Sequence, residues 1–205
     1  GTVKKCSVSN FGRPRSVGLR AIELLDGDEL VAADITTGSS DILLFSSSGK
    51  AIRFSERDVR EMGRTARGVR GITLKSDHIV ISLITVEEGL AGYVLAATSN
   101  GYGKRTKLAE FPQKRRGGSG VIAIRDGDRN GSAIGAEWVP DDGEIVLITD
   151  VGRLVRTRVN EISVQSRNTH GVRLVALEET EALVSLRCVD DSEETNQVSE
   201  PVPVS

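Results

Sequence analysis

The sequence predicts an all-β protein of propeller-like, four-stranded blades repeated about every 51 residues in an incomplete ring. Three observations predict it: a fixed-period repeat, a hairpin signal in every repeat, and no sustained helical period. The repeat has three landmarks. The first is a glycine followed by a short basic, β-branched strand: GTVKK from Gly1, GKAIRF from Gly49, GYGKRT from Gly101 and GRLVRTR from Gly152, in steps of 48, 52 and 51. The second is a glycine with an aliphatic residue after a basic loop: VGLRAI at Gly18, RGVRGI at Gly68, SGVIAI at Gly120 and HGVRLV at Gly171, in steps of 50, 52 and 51. The third is the apolar strand closing each unit: DILLFSSSG, YVLAATSNG and EIVLITDVG. The units lie near 1–48, 49–100, 101–151 and 152–189.

Within a unit the elements follow in order. LLFSSSGKAIRF, LAATSNGYGKRT and LITDVGRLVRT are each two apolar runs joined by a small polar turn, which predicts a hairpin. A polar loop follows, with room for one helical turn in RDVREMG at 57–63. Then come the glycine-aliphatic strand, an acidic turn (LDGDEL at 25–30, KSDHIV at 75–80, RDGDRNG at 125–131) and a further strand. About four strands per unit at this period indicate radial blades. The last unit runs out after VSLRCV near residue 189, without its closing hairpin strand.

Of the 205 residues, 38% are hydrophobic and 27% charged, enough for one or two domains with a core. No apolar run approaches the roughly 18 residues of a membrane helix, and no signal peptide is visible. Met62 is the only methionine, which suggests a fragment of a longer chain. Cys6 and Cys188 form neither a disulfide framework nor a zinc pattern and suit a reducing, cytoplasmic setting. The segment 190–205, with five acids, two prolines and no base, reads as a disordered acidic tail.

Charge follows the repeat. Residues 1–20 hold five bases and no acids, whereas 21–48 hold six acids and no bases. Residues 49–72 carry seven bases against three acids, 101–120 six against one, and 152–173 five against one. The stretches between are acidic. A single basic loop is ordinary solvated surface; four in register make a cationic rim, with each blade's hairpin and loop at one edge and the acidic turns elsewhere. Such a rim suits double-stranded DNA read through its phosphates, because no recognition helix and no aromatic stacking platform is evident. The candidate contacts are Lys4, Lys5, Arg13, Arg15, Lys50, Arg53, Arg64, Arg67, Arg70, Lys104, Arg105, Lys107, Lys114, Arg115, Arg116, Arg153, Arg156, Arg158, Arg167 and Arg173.

GTVKK, LDGDEL, GVRGI, NGYGKRT, the RNG turn, GRLVRTRVNEIS and SRNTHGV together resemble the C-terminal domain of DNA gyrase A, over residues 1 to about 189. The resemblance implies a β-pinwheel, built by exchange of hairpins, that wraps DNA around its basic perimeter. It also implies a non-catalytic part of an ATP-dependent type II topoisomerase that introduces negative supercoils. The implied partners are the rest of gyrase A and gyrase B in an A2B2 holoenzyme, in the bacterial cytoplasm at the nucleoid. The family usually has six blades and carries a Gln-Arg-Arg-Gly-Gly-Lys-Gly box in the first. Here Gln113 to Gly120 comes nearest, with one extra residue and with Ser119 where a base is expected, so it reads as a box-like loop of a later blade. The alternatives are the equivalent domain of topoisomerase IV and a propeller-like protein-interaction scaffold, which would carry apolar or mixed-sign rims.

No cofactor and no metal is expected. Asp126, Asp128, Asn130, Gly131 and Glu137 have the spacing of a calcium loop but not its flanking helices. GYGKRT lacks the third glycine and the βαβ setting of a dinucleotide site. His78 and His170 are far apart and read as solvated or hydrogen-bonded side chains.

Overall fold

The structure, a computed structural model, describes residues 1–13 and 16–189. Arg15 and the segment 190–205 lie outside the described residues. In chain order the strands are β1 (Thr2–Val3), β2 (Asp41–Ser46), β3 (Lys50–Ser55), β4 (Val69–Arg70), β5 (Val80–Val86), β6 (Tyr93–Thr98) and β7 (Tyr102–Lys107). They continue with β8 (Val121–Ile122), β9 (Ala133–Val139), β10 (Glu144–Thr149), β11 (Leu154–Arg158), β12 (Val172–Arg173) and β13 (Leu183–Val189). The predicted helical turn appears as a 3-10 turn in every unit, at Val8–Phe11, Glu56–Asp58, Leu108–Glu110 and Val159–Glu161.

The sheets are antiparallel and run β5-β2-β3-β8, β9-β6-β7-β12 and β13-β10-β11, with β1 and β4 forming a two-stranded pair. The glycine-aliphatic strands are only two residues long, and each pairs with the opening strand of the preceding unit. Val69–Arg70 pairs with Thr2–Val3, Val121–Ile122 with Lys50–Ala51, and Val172–Arg173 with Tyr102–Gly103. Each four-stranded blade therefore draws strands from three consecutive units, which is the hairpin exchange that the resemblance implies.

The turn glycines fix this junction. Gly49 has φ +67°, and its carbonyl accepts the amides of Ala123 at 2.8 Å and Ile124 at 3.1 Å. A Cβ there would meet the Ile124 carbonyl as well as an unfavourable φ. Gly1 receives Gly71 and Ile72 in the same way, and Gly101 receives Leu174 and Val175. The hairpin turn thus grips the next unit through backbone, which explains why the glycine keeps the period.

Both faces of the hairpin strands are buried. On β2, Leu43 and Phe45 enter the core shared with the second sheet, while Ile42 and Leu44 enter the core shared with the first unit. A third core, around Leu95, Ile145, Leu147 and Leu183, lies between the second and third sheets. Phe45 and Phe111 meet edge to face, with ring centroids 5.9 Å apart. At about 1.5–3 kcal/mol for each large side chain withdrawn from water, these interblade cores are the main stabilising term.

One sequence expectation needs correction. VGLRAI and the strand expected after it do not form: residues 19–40 contain no strand, and Leu24, Leu25, Leu30, Val31 and Ile35 are exposed. The equivalent segments elsewhere pair with the opening strand and first hairpin strand of a preceding unit, and no described strand occupies those places. In the last unit no described strand follows β13, which pairs with β10, and β11 is an open edge with no described two-residue strand beside it. Among the described residues no strand pair joins the first unit to the last, so the ring is not closed.

Candidate nucleic-acid interface

β9 contacts both β5 and β13, with the Ala136 amide donating to Ser82 Oγ at 2.9 Å, so these three strands line the same side of successive sheets. The opposite edge of each sheet is the opening strand, which in the two four-stranded sheets carries its two-residue partner. Each basic loop touches this edge, leaves it and returns. Glu61 bridges Lys5, Gln113 bridges Arg53 and Val164 bridges Arg105; the chain then bulges outward and re-enters as β4, β8 or β12. The basic loops therefore lie on the perimeter.

Many of the cations hold this arrangement together. Arg53 binds Asp41 through Nε (2.8 Å) and Nη2 (2.5 Å), and its Nη1 donates to the carbonyls of Leu108 (3.2 Å) and Phe111 (3.3 Å) of the next unit. Arg105, one period later, donates to the carbonyls of Ile162 (2.8 Å) and Asn160 (3.3 Å), pairs with Asp141, and lies 4.8 Å from the centre of the Tyr93 ring. Lys5 does the same at lower density, donating to the Glu56 carbonyl at 2.9 Å. Lys104 is fully buried and spends its ammonium on the carbonyls of Ser166 and Arg167 and on Thr169 Oγ1 at 3.0 Å. Burial pushes its pKa down to about 8, with Arg167 adding to the fall and Glu110 opposing it. Lys4, its equivalent in the first unit, donates to the carbonyls of Ala21 and Arg64. All five therefore fasten neighbouring units to one another, and Lys104 alone gives its ammonium to three acceptors.

A second ladder runs along the perimeter itself. Arg64 Nη1 donates to the Arg20 carbonyl (3.2 Å), Arg116 Nη1 to the Arg70 carbonyl (2.9 Å), and Arg167 Nη1 to the Ile122 carbonyl (2.9 Å). Acceptors and donors are each one repeat apart. The second, third and fourth basic loops are thus docked on the glycine-aliphatic segment of the unit before, which is the strand β4 or β8 for the third and fourth. These arginines bind neutral carbonyls, so their charge remains uncompensated.

The remaining candidates divide by partner. Arg13, Arg70, Lys107, Lys114 and Arg115 are exposed and Lys50 is half-buried, and none of their side chains has a hydrogen-bond or ion-pair partner among the described residues. Arg67 pairs with Glu23 (3.0 Å), Arg158 approaches Glu144 (3.9 Å), and Arg156 also pairs with Glu144. Arg153 pairs with Glu181 at 2.5 Å and holds that carboxyl down to about 2 against the cost of its burial. Arg173 donates to Tyr102 Oη at 3.3 Å. The perimeter of the second and third loops therefore keeps the most open charge, while the fourth unit's opening strand is largely neutralised. Arg20 and Arg60 are exposed and were missed by the sequence reading. The signal for Arg20 was present, since it follows Gly18 by two residues as Arg70 and Arg173 follow Gly68 and Gly171.

The acidic turns are less segregated than expected. The hairpin turns lie against them: the Ser47 amide donates to the Ile79 carbonyl at 2.9 Å, and the Asn100 side chain donates to the Asp128 and Arg129 carbonyls at 3.1 Å. Within the calcium-like spacing, Glu137 faces away along β9 and pairs with Arg187 at 2.8 Å.

Blades exchanged between successive units, with a cation-bearing loop on every outer edge, define a β-pinwheel-type domain. The chain belongs to the family described as DNA gyrase C-terminal domain, beta-propeller, which matches residues 1–37, 40–87, 92–136 and 143–190. It is 53% identical over 197 residues to the DNA gyrase A protein of Salmonella typhimurium, a match covering 94% of this chain and 22% of that protein. The chain thus spans about a fifth of the length of such relatives. A solved gyrase A C-terminal domain superposes with a TM-score of 0.80 at 28% identity, covering 91% of this chain and 61% of that one. The C-terminal domain of a DNA topoisomerase IV superposes with a TM-score of 0.87 at 26% identity, covering 93% and 59%.

Proposed function

We propose that the chain binds duplex DNA through backbone phosphates along its stapled outer edge and bends the duplex around it. In the whole protein this would serve an ATP-dependent DNA gyrase that introduces negative supercoils, with the rest of gyrase A and gyrase B as partners in an A2B2 assembly at the bacterial nucleoid. The chain contributes no bond-making step in this reading. The observation that carries it is the ladder of Arg64, Arg116 and Arg167, which joins separate basic loops into one continuous cationic path. A duplex carries a phosphate charge about every 1.7 Å of its axis, so a continuous path is worth more than isolated patches. Such a path carries no groove-reading element, so affinity follows DNA deformability more than base sequence. The two superposed structures do not separate gyrase from topoisomerase IV; the 53% identity to a gyrase A protein favours gyrase.

Bending is tested by ligase-driven ring closure of a duplex of about 150 base pairs, one persistence length. Saturating chain is expected to raise the closure rate several-fold. An unchanged rate at saturation would contradict bending.

A further inference from the structure

The second and third units meet in an open cleft of about 270 Å³ at the hairpin-turn end of the blades. Three cations line it: Lys50 from the head of β3, Lys75 from the acidic turn of the second unit, and Arg125 from that of the third. Asp126 is the single carboxylate lining it, so it offsets only one of the three cations. Lys50 and Lys75 have no side-chain partner among the described residues. Arg125 gives Nε to Asn168 at 2.9 Å, which leaves its two Nη groups as donors. Ser48 and Ser119 add hydroxyls at the wall, and Ile122 and Ile124 line its apolar part. Cations, hydroxyl donors and a partly apolar wall in one concavity match a tetrahedral oxyanion better than a carboxylate or a metal ion.

The same junction recurs one unit along. Tyr102 stands where Lys50 does, and its ring is covered by Arg129 at 4.7 Å and Arg173 at 5.7 Å. At the third such position Arg153 is neutralised by Glu181, so the open charge belongs to the first two junctions.

We propose that the cleft between the second and third units is a seat for a phosphate group, held by Lys50, Lys75 and Arg125. It borders the third basic loop through Ser119 and would give bound DNA a further point of contact at the hairpin-turn end, a role that rests on the duplex-binding reading above. Free phosphate would use the same donors and does not depend on that reading.

The 205-residue chain is titrated with inorganic phosphate at constant ionic strength while the imidazole resonances of its two histidines are followed by NMR. His78 lines the cleft and His170 does not. His78 is expected to shift saturably with His170 unmoved, and Lys50→Gln/Lys75→Gln should abolish the shift without changing the melting transition. Lys75→Gln alone, on an exposed turn, should weaken it and guards against a misfolded double variant. In duplex binding, the double variant should make the log affinity against log salt slope shallower by about 0.9, one phosphate contact. A His78 response with an unchanged duplex slope assigns the seat to free phosphate, and the reverse assigns it to DNA. If His78 does not move and the slopes are identical, the seat does not exist. Failure of the wild-type chain to bind duplex would overturn the proposed function and leave the phosphate titration to decide the cleft.

Discussion

Lys104→Ala is expected to destabilise the chain by about 3 kcal/mol at neutral pH, seen as a lower urea midpoint with little change in slope. The side chain is fully buried, and its ammonium is the common donor to two carbonyls and a hydroxyl of the fourth unit's loop. Truncation opens a cavity and removes the ammonium's bonds to the Ser166 and Arg167 carbonyls and Thr169 Oγ1. An alanine variant as stable as the wild type would show that the clasp contributes nothing. The same residue predicts a pH dependence. Burial lowers its folded pKa to about 8, against an ordinary 10.5 when unfolded. Between those values the folded chain has released the proton and the unfolded chain has kept it, so stability rises with pH through that window. Measured against Lys104→Met, which cannot titrate, the wild type should gain ground from about pH 7 to about pH 9.5. A constant difference would contradict a lowered folded pKa.

Lys114→Ala/Arg115→Ala is expected to weaken duplex binding on the order of 100-fold at low salt, from two charge-assisted phosphate contacts at about tenfold each. Both side chains are exposed, with no hydrogen-bond or ion-pair partner among the described residues, so folding stability should be unchanged. The salt slope should become shallower by about 1.8. Arg116 is left out because its guanidinium also ties Asp58 and Arg70 carbonyls at 2.9 Å, and its removal would loosen the junction. Wild-type affinity in this pair would remove the third loop from the interface.

The difference between Arg115 and Arg116 shows what the sequence carries. Period, turn glycines and charge phase were legible because they recur: Gly49 and Gly101 each need a left-handed turn, so the fold repeats its signal. Partner choice was not. Arg53 and Lys104 have the composition of rim residues, yet both turn toward a neighbouring loop whose carbonyls lie 55 to 63 residues away in sequence. The two-residue strands were mistaken for ordinary ones because their pairing is with another unit, and VGLRAI formed none because no described strand stands beside it. The Lys50–Lys75–Arg125 cleft escaped for the same reason, since its cations come from two units and look like ordinary turn charges when read in order.

The salt dependence of duplex affinity for the unmodified chain tests the central claim most directly. Arg13, Arg20, Arg60, Arg70, Lys107, Lys114 and Arg115 are exposed, and the proposed function sets them along one edge. Contact of five or more of them with phosphates predicts a slope of log affinity against log salt of about −4 or steeper. A slope near −1, or no measurable affinity at low salt, would contradict a continuous phosphate-binding edge.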